Sequence, residues 1–121
     1  MNNVEDPKNL ESKIHFHGIH VHLTDAMRNS VREKFSSLLH HHPEIIRVSV
    51  RLHQDQTTKT GFYYTATGQI EIGGPDFIAS AEGADAYAVL SDLAEKLSRQ
   101  LERRHDRLKG QRDQIDVPLA Q

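Results

Sequence analysis

Residues 14–39 read "IHFHGIHVHLTDAMRNSVREKFSSLL", and the apolar period changes midway. Ile14 and Phe16 stand two apart, as do Ile19, Val21 and Leu23, but in the opposite phase. Spacing of two is the signature of a strand with one covered face. The slip falls at Gly18, and a bulge there is the expected cause. It would set His15, His17, His20 and His22 together on the solvent side. After Leu23 the pattern turns helical: Met27, Val31, Phe35, Leu38 and Leu39 share one face. Thr24 suits the N-cap, Asp25 the first turn, and Pro43 the stop. Arg28 and Arg32, four apart, share a flank of that helix.

Working outward, "IIRVSVRLH" alternates Ile46, Val48, Val50 and Leu52 against Arg47, Ser49, Arg51 and His53. This is a second half-covered strand. The polar "QDQTTKTG" is expected to be a hairpin loop. Alternation resumes in "FYYTATGQIEI", with Phe62, Tyr64, Ala66, Ile70 and Ile72 in phase and Tyr63 as the exposed ring. "GGPD" marks a turn and "FIASAEG" a short fourth strand. From Asp85 to Lys109 runs the longest helix, capped by Asp85. Its apolar stripe comprises Leu90, Leu93, Ala94, Leu97, Leu101 and Leu108, with Tyr87 at one edge. Gly110 is expected to end it. The element order is β-α-β-β-β-α, an α+β domain with a four-stranded sheet and both helices on one face. Residues 1–12 read as a flexible N-terminal segment, 13–109 as the single domain, and 110–121 as a flexible tail.

The composition narrows the function classes. A chain of 121 residues with 36% hydrophobic and 26% charged content suits one globular domain with a real core. No apolar run approaches the roughly 20 residues of a membrane span, and the polar start "MNNVEDPKNLESK" lacks the apolar core of a secretory signal. There is no cysteine, which excludes thiol catalysis and fits a reducing cytoplasm. No nucleophile motif, phosphate-cradling glycine loop or carboxylate pair is present, so no enzymatic activity, cofactor or small-molecule substrate is expected.

Charge is distributed unevenly. The whole chain carries −2 with histidine neutral, yet the last helix is rich in Lys and Arg. Lys96, Arg99, Arg103 and Arg107 fall within about 80° of its surface and extend about 16 Å along it. Such a stripe can follow a phosphodiester backbone, and arginine forks suit phosphate. Asp92→Lys96 and Glu95→Arg99 are also favourable i,i+4 pairs, which fit a merely solvated helix. The nine histidines include four near the first strand and the run His40, His41 and His42. No other metal-ligand spacing accompanies them, so no metal site is assigned. In acid they would add positive charge.

"GIHVHLTDAMRNSVREKF", three strands, then "AEGADAYAVLSDLAEKLSRQLERRHDR" together resemble the ribosome hibernation-promoting factor and ribosome-associated inhibitor family, also called sigma-54 modulation proteins. The likeness covers residues 14–109. Its most specific pieces are "TDAMR", the Asp85-x-Tyr87 opening, and the run from Lys96 to Leu101. The resemblance implies a mixed sheet laid out like a double-stranded-RNA-binding domain. It implies a partner in the small ribosomal subunit and its rRNA, with translation blocked by occupancy of the mRNA and tRNA groove. The RNA-binding positions it implies are Arg28, Lys96, Arg99, Arg103 and Arg107. Arg32, Lys34 and Arg104 are neighbours added from helix geometry. The likeness is to the short type, without the second, dimerising domain of long members. A cytoplasmic protein, monomeric off the ribosome and not bound to membranes, is expected. The alternative on the same fold is a histidine-rich metal-binding stress protein or a protein-interaction module.

Overall fold

The computed structural model describes residues 12–58 and 61–119, with side chains described over 12–56 and 61–108. The elements run β1 (Ile14–Ile19), α1 (Asp25–His41), β2 (Arg47–Thr58), β3 (Gly61–Glu71), β4 (Phe77–Gly83) and α2 (Ala86–Leu119). The strands lie side by side in chain order in one four-stranded sheet. β1 is parallel to β2, and β2, β3 and β4 are antiparallel in turn. A parallel pair needs a crossover, and α1 supplies it. The expected α+β class, mixed sheet and element order are all present.

Both helices cover the same sheet face. α1 packs against β1, α2 against β3 and β4, and the helices touch each other. Each returns against the strand it follows, and β1 and β4 point the same way, so the helices run parallel. The Thr24 hydroxyl accepts from the Met27 amide at 3.1 Å and starts α1. The Asp85 carboxylate accepts from the Tyr87 amide at 3.0 Å and starts α2. Met27, Val31, Phe35, Leu38 and Leu39 are buried from α1, as their spacing predicts. They meet Val48, Val50 and Leu52 of β2, and Leu90, Leu93, Leu97 and Leu101 of α2. The register aligns Phe16, Val50, Gly68 and Ala79 in one row across the sheet. A Cβ at Gly68 would stand 2.7 Å from Leu97 Cδ1. The bare glycine is therefore what lets α2 settle onto β3.

Several expectations are corrected. β1 pairs with β2 in unbroken register through Gly18, so no bulge sits there. The strand ends at Ile19, and the phase changes because the chain turns at His20, whose φ is +57°. The turn folds Val21 and Leu23 back over Gly18, where a Cβ would meet the Val21 carbonyl oxygen at 2.8 Å. The histidines are nonetheless exposed, as expected. The one register shift between β2 and β3 lies between Asp55 and Thr58. Most of the expected hairpin loop is therefore strand. Ile45, not Ile46, enters the core: Ile46 is 56% exposed. It precedes β2, and strand alternation does not extend backward through the turn at Ile45. Phe62 has the covered phase but is 49% exposed, because the long hairpin outruns the helices. Leu108 is exposed for the matching reason, as α2 projects past the sheet beyond Leu101. α2 also continues through Gly110 to Leu119. A glycine inside a helix costs only about 1 kcal/mol relative to alanine and need not end it.

Candidate nucleic-acid interface

The helical layer carries cations on both flanks, and the sheet order decides which faces where. On α1, Arg28 and Arg32 stand over β1, lining a shallow depression of about 180 Å³ with Ile14 and Phe16. Arg32 also donates to Asn29. On α2, Lys96, Arg99 and Arg103 line a depression with Ala79 and Ser80 of β4. β1 and β4 are the two edges of the sheet. The two basic groups therefore face opposite ways, about 14 Å apart at the level of the strands. The cations of the two helices therefore do not form one common wall. Instead the seam between the helices holds Lys34, half-buried beside Ser91, Ala94, Glu95 and Ser98.

The members of the α2 stripe are not equivalent. Lys96 Nζ donates to the Ser80 carbonyl at 2.9 Å and lies 3.5 Å from the Asp92 carboxylate. Gln100 Nε2 donates to the Ile78 carbonyl at 3.1 Å. Together they cover outward carbonyls of the β4 edge, which would otherwise invite pairing with another strand. Arg99 pairs with Glu95 at 2.8 Å. Arg103, Arg104 and Arg107 make no ion pair among the described residues, and Arg103 and Arg107 are exposed while Arg104 is half-buried. Exposed i,i+4 pairs are worth only about 0.3–0.5 kcal/mol, so Arg99 can exchange its carboxylate for a phosphate at small cost. Lys96 gives up more. Its edge-capping role, and that of Gln100, was not visible in the sequence, because nothing local says which strand edge a helix will lie beside.

The remaining candidates are less organised. His41 Nδ1 lies 2.8 Å from the Ser37 carbonyl, and His42 lies 3.8 Å from Glu44. With Glu102, His105 and Asp106 they line a cleft of about 610 Å³ between the end of α1 and α2. Among the described residues, no three His, Asp or Glu side chains converge as metal ligands would. On the uncovered sheet face Tyr63 is exposed, and its hydroxyl is hydrogen-bonded to Glu82. Its pKa is raised above the usual phenol value, first by desolvation and then by the Glu82 charge. No helix among the described residues is long and apolar enough to cross a membrane.

The fold and its charge layout define a small α+β module with two cationic flanks. Comparison with known proteins makes the class specific. The family described as "Sigma 54 modulation protein / S30EA ribosomal protein" matches residues 14–109, and the chain belongs to it. The ribosome hibernation promoting factor of Escherichia coli K12 is 36% identical over 92 residues, covering 76% of this chain and 92% of that one. The Azotobacter vinelandii factor of the same name is 32% identical over 111 residues, covering 88% and 98%. The fold recurs in a ribosomal subunit interface protein from Coxiella burnetii, with TM-score 0.65 and 23% identity over 77% of this chain and 97% of that one. It recurs also in the N-terminal domain of Protein Y from Thermus thermophilus, with TM-score 0.58 and 22% identity over 74% and 93%.

Proposed function

We propose that this chain is a ribosome-associated translation inhibitor that binds small-subunit rRNA in the groove used by mRNA and tRNAs. Membership of the family carries the reading, since relatives matched over most of the chain are named ribosome hibernation promoting factors. The charge layout supplies a mechanism. Arg99, Arg103 and Arg107 would meet phosphates on the β4 side, while Arg28 and Arg32 would meet a different RNA segment on the β1 side. A body with cations on two opposite flanks suits a cleft between two RNA walls better than a flat surface. Inhibition is by occupancy: the protein fills space that the decoding substrates need and carries out no bond-making step. No cofactor is required. The protein works in the cytoplasm, where ribosomes are, and is a monomer until it binds.

The test is co-sedimentation with purified small subunits across a salt series. Each phosphate neutralised adds roughly 0.7–0.9 to the log–log salt slope. Four or five seated arginines therefore give a slope of about −3 to −4.5. The double variant R99E/R103E should lose binding while keeping its circular dichroism. Binding that ignores salt, or that survives the double reversal, would overturn the assignment.

A further inference from the structure

The uncovered sheet face is as asymmetric in charge as the helices, and the asymmetry depends on pH. Strand pairing sets His15 beside Ser49, His17 beside Arg51 and Ile19 beside His53. His15 and His17 lie about 6.6 Å apart along β1, and each β2 neighbour lies about 4.8 Å across. The His20 ring, carried round by the left-handed turn, comes to 5.6 Å from the His53 ring. The exposed Arg51, which has no ion-pair partner among the described residues, thus lies opposite His17 and two residues from His53 along β2, with His15 and His20 at the two ends of the row.

The acids of this face are elsewhere or already engaged. Glu71 pairs with Arg47 at 3.2 Å, Asp76 accepts from Gln69 at 2.6 Å, and Glu82 holds Tyr63. All three lie on β3, β4 or the turn joining them. Asp55, at the far end of β2, is 3.4 Å from His53. Lys13, at the start of β1, is tied to the Ile45 carbonyl at 3.1 Å. No helix among the described residues covers this face. The β1–β2 half accordingly carries the free Arg51 guanidinium and, at its far end, the Asp55 carboxylate, and protonation of its four imidazoles adds up to four positive charges, one of them facing Asp55.

We infer that the β1–β2 half of the open sheet face, built of His15, His17, His20, His53 and Arg51, is a second contact for the RNA phosphate backbone that engages on acidification. The inference rests on the ribosomal reading and extends it to the opposite side of the molecule. Phosphodiesters keep their charge throughout the range in which imidazole ionises, so the change belongs to the protein. Phosphate favours protonated histidine, so binding takes up protons and tightens in acid. A metal would need three ligands converging on one point, and this open array does not offer them.

The experiment is co-sedimentation of the full chain with purified small ribosomal subunits at pH 7.5 and 5.8, with EDTA present. The variants are H15Q/H17Q/H20Q/H53Q, R51A and R99E/R103E. An exposed imidazolium–phosphate contact is a single-point ion pair worth about threefold, less than a forked arginine contact. The wild type should therefore tighten about tenfold or more between the two pH values, with a steeper salt slope in acid. The glutamine variant should match the wild type at pH 7.5 and tighten less than about threefold. R51A should weaken the acid state more than the neutral one. Full tightening in the glutamine variant would overturn the inference and pass the effect to other histidines or to the ribosome. So would a pH-independent wild type. If binding appears only at pH 5.8 and ignores R99E/R103E, the sheet-face contact stands and the helical one falls. If nothing binds at either pH, both fall.

Discussion

Lys96 and Arg103 share one stripe of α2, and the structure separates what their replacement should do. Lys96 is tied to the Ser80 carbonyl at 2.9 Å and lies near Asp92. Replacing it by methionine keeps the apolar stem but uncovers that carbonyl. A hydrogen bond of this exposed kind contributes about 0.5–1 kcal/mol net. For a domain of this size the melting temperature should fall by roughly 2–8 °C. Arg103 has no such tie among the described residues. Its replacement by glutamate should leave melting unchanged within about 2 °C, since surface changes away from built contacts are usually small. The same change deletes a charge-assisted contact with phosphate, about 1.5–3 kcal/mol, or roughly 10- to 150-fold in affinity. The assays are thermal unfolding by circular dichroism and co-sedimentation with small subunits at several salt concentrations. Arg103→Glu should also flatten the salt slope by about 0.7–0.9. If Lys96→Met reduces affinity as much as Arg103→Glu and leaves melting untouched, the division of labour along α2 is wrong.

The opposed flanks make a second prediction: Arg28→Glu should weaken binding independently of Arg103→Glu. The double variant should then lose the sum of the two free-energy changes within about 0.5 kcal/mol, as for sites without shared partners, and strong coupling would place both arginines on one RNA element. Gly68→Ala should destabilise by about 1–3 kcal/mol through collision with Leu97 and Leu93. Gly61→Ala, with nothing within 4 Å of its new methyl, should be neutral or slightly stabilising in chemical denaturation. Thr24→Ala removes the cap of α1 and should cost about 1 kcal/mol by the same measurement.

Much of the fold was legible because its physics is local. The helical spacing of Met27 through Leu39, the alternation of Val48, Val50 and Leu52, and the caps Thr24 and Asp85 each depend on neighbours a few residues away. Expectations failed where burial depends on how far the other layer reaches. Phe62 and Leu108 carry the right phase but lie beyond the covering element. The phase slip near Gly18 was real, yet a turn at His20 and a strand bulge leave the same trace in sequence.

The candidate site divides the same way. Periodicity by itself determined that Lys96, Arg99, Arg103 and Arg107 share a stripe, that Arg28 and Arg32 share another, and that His15 and His17 lie on a polar strand face. Tertiary structure alone decided that the two stripes look outward over opposite sheet edges, that Lys96 caps β4, and that Arg51 and His53 stand beside the histidines of β1. The reason is that a side chain's direction on its own element is set by backbone geometry within one turn or pleat. Its neighbours across elements are set by strand order and register, which long-range pairing and core packing choose together.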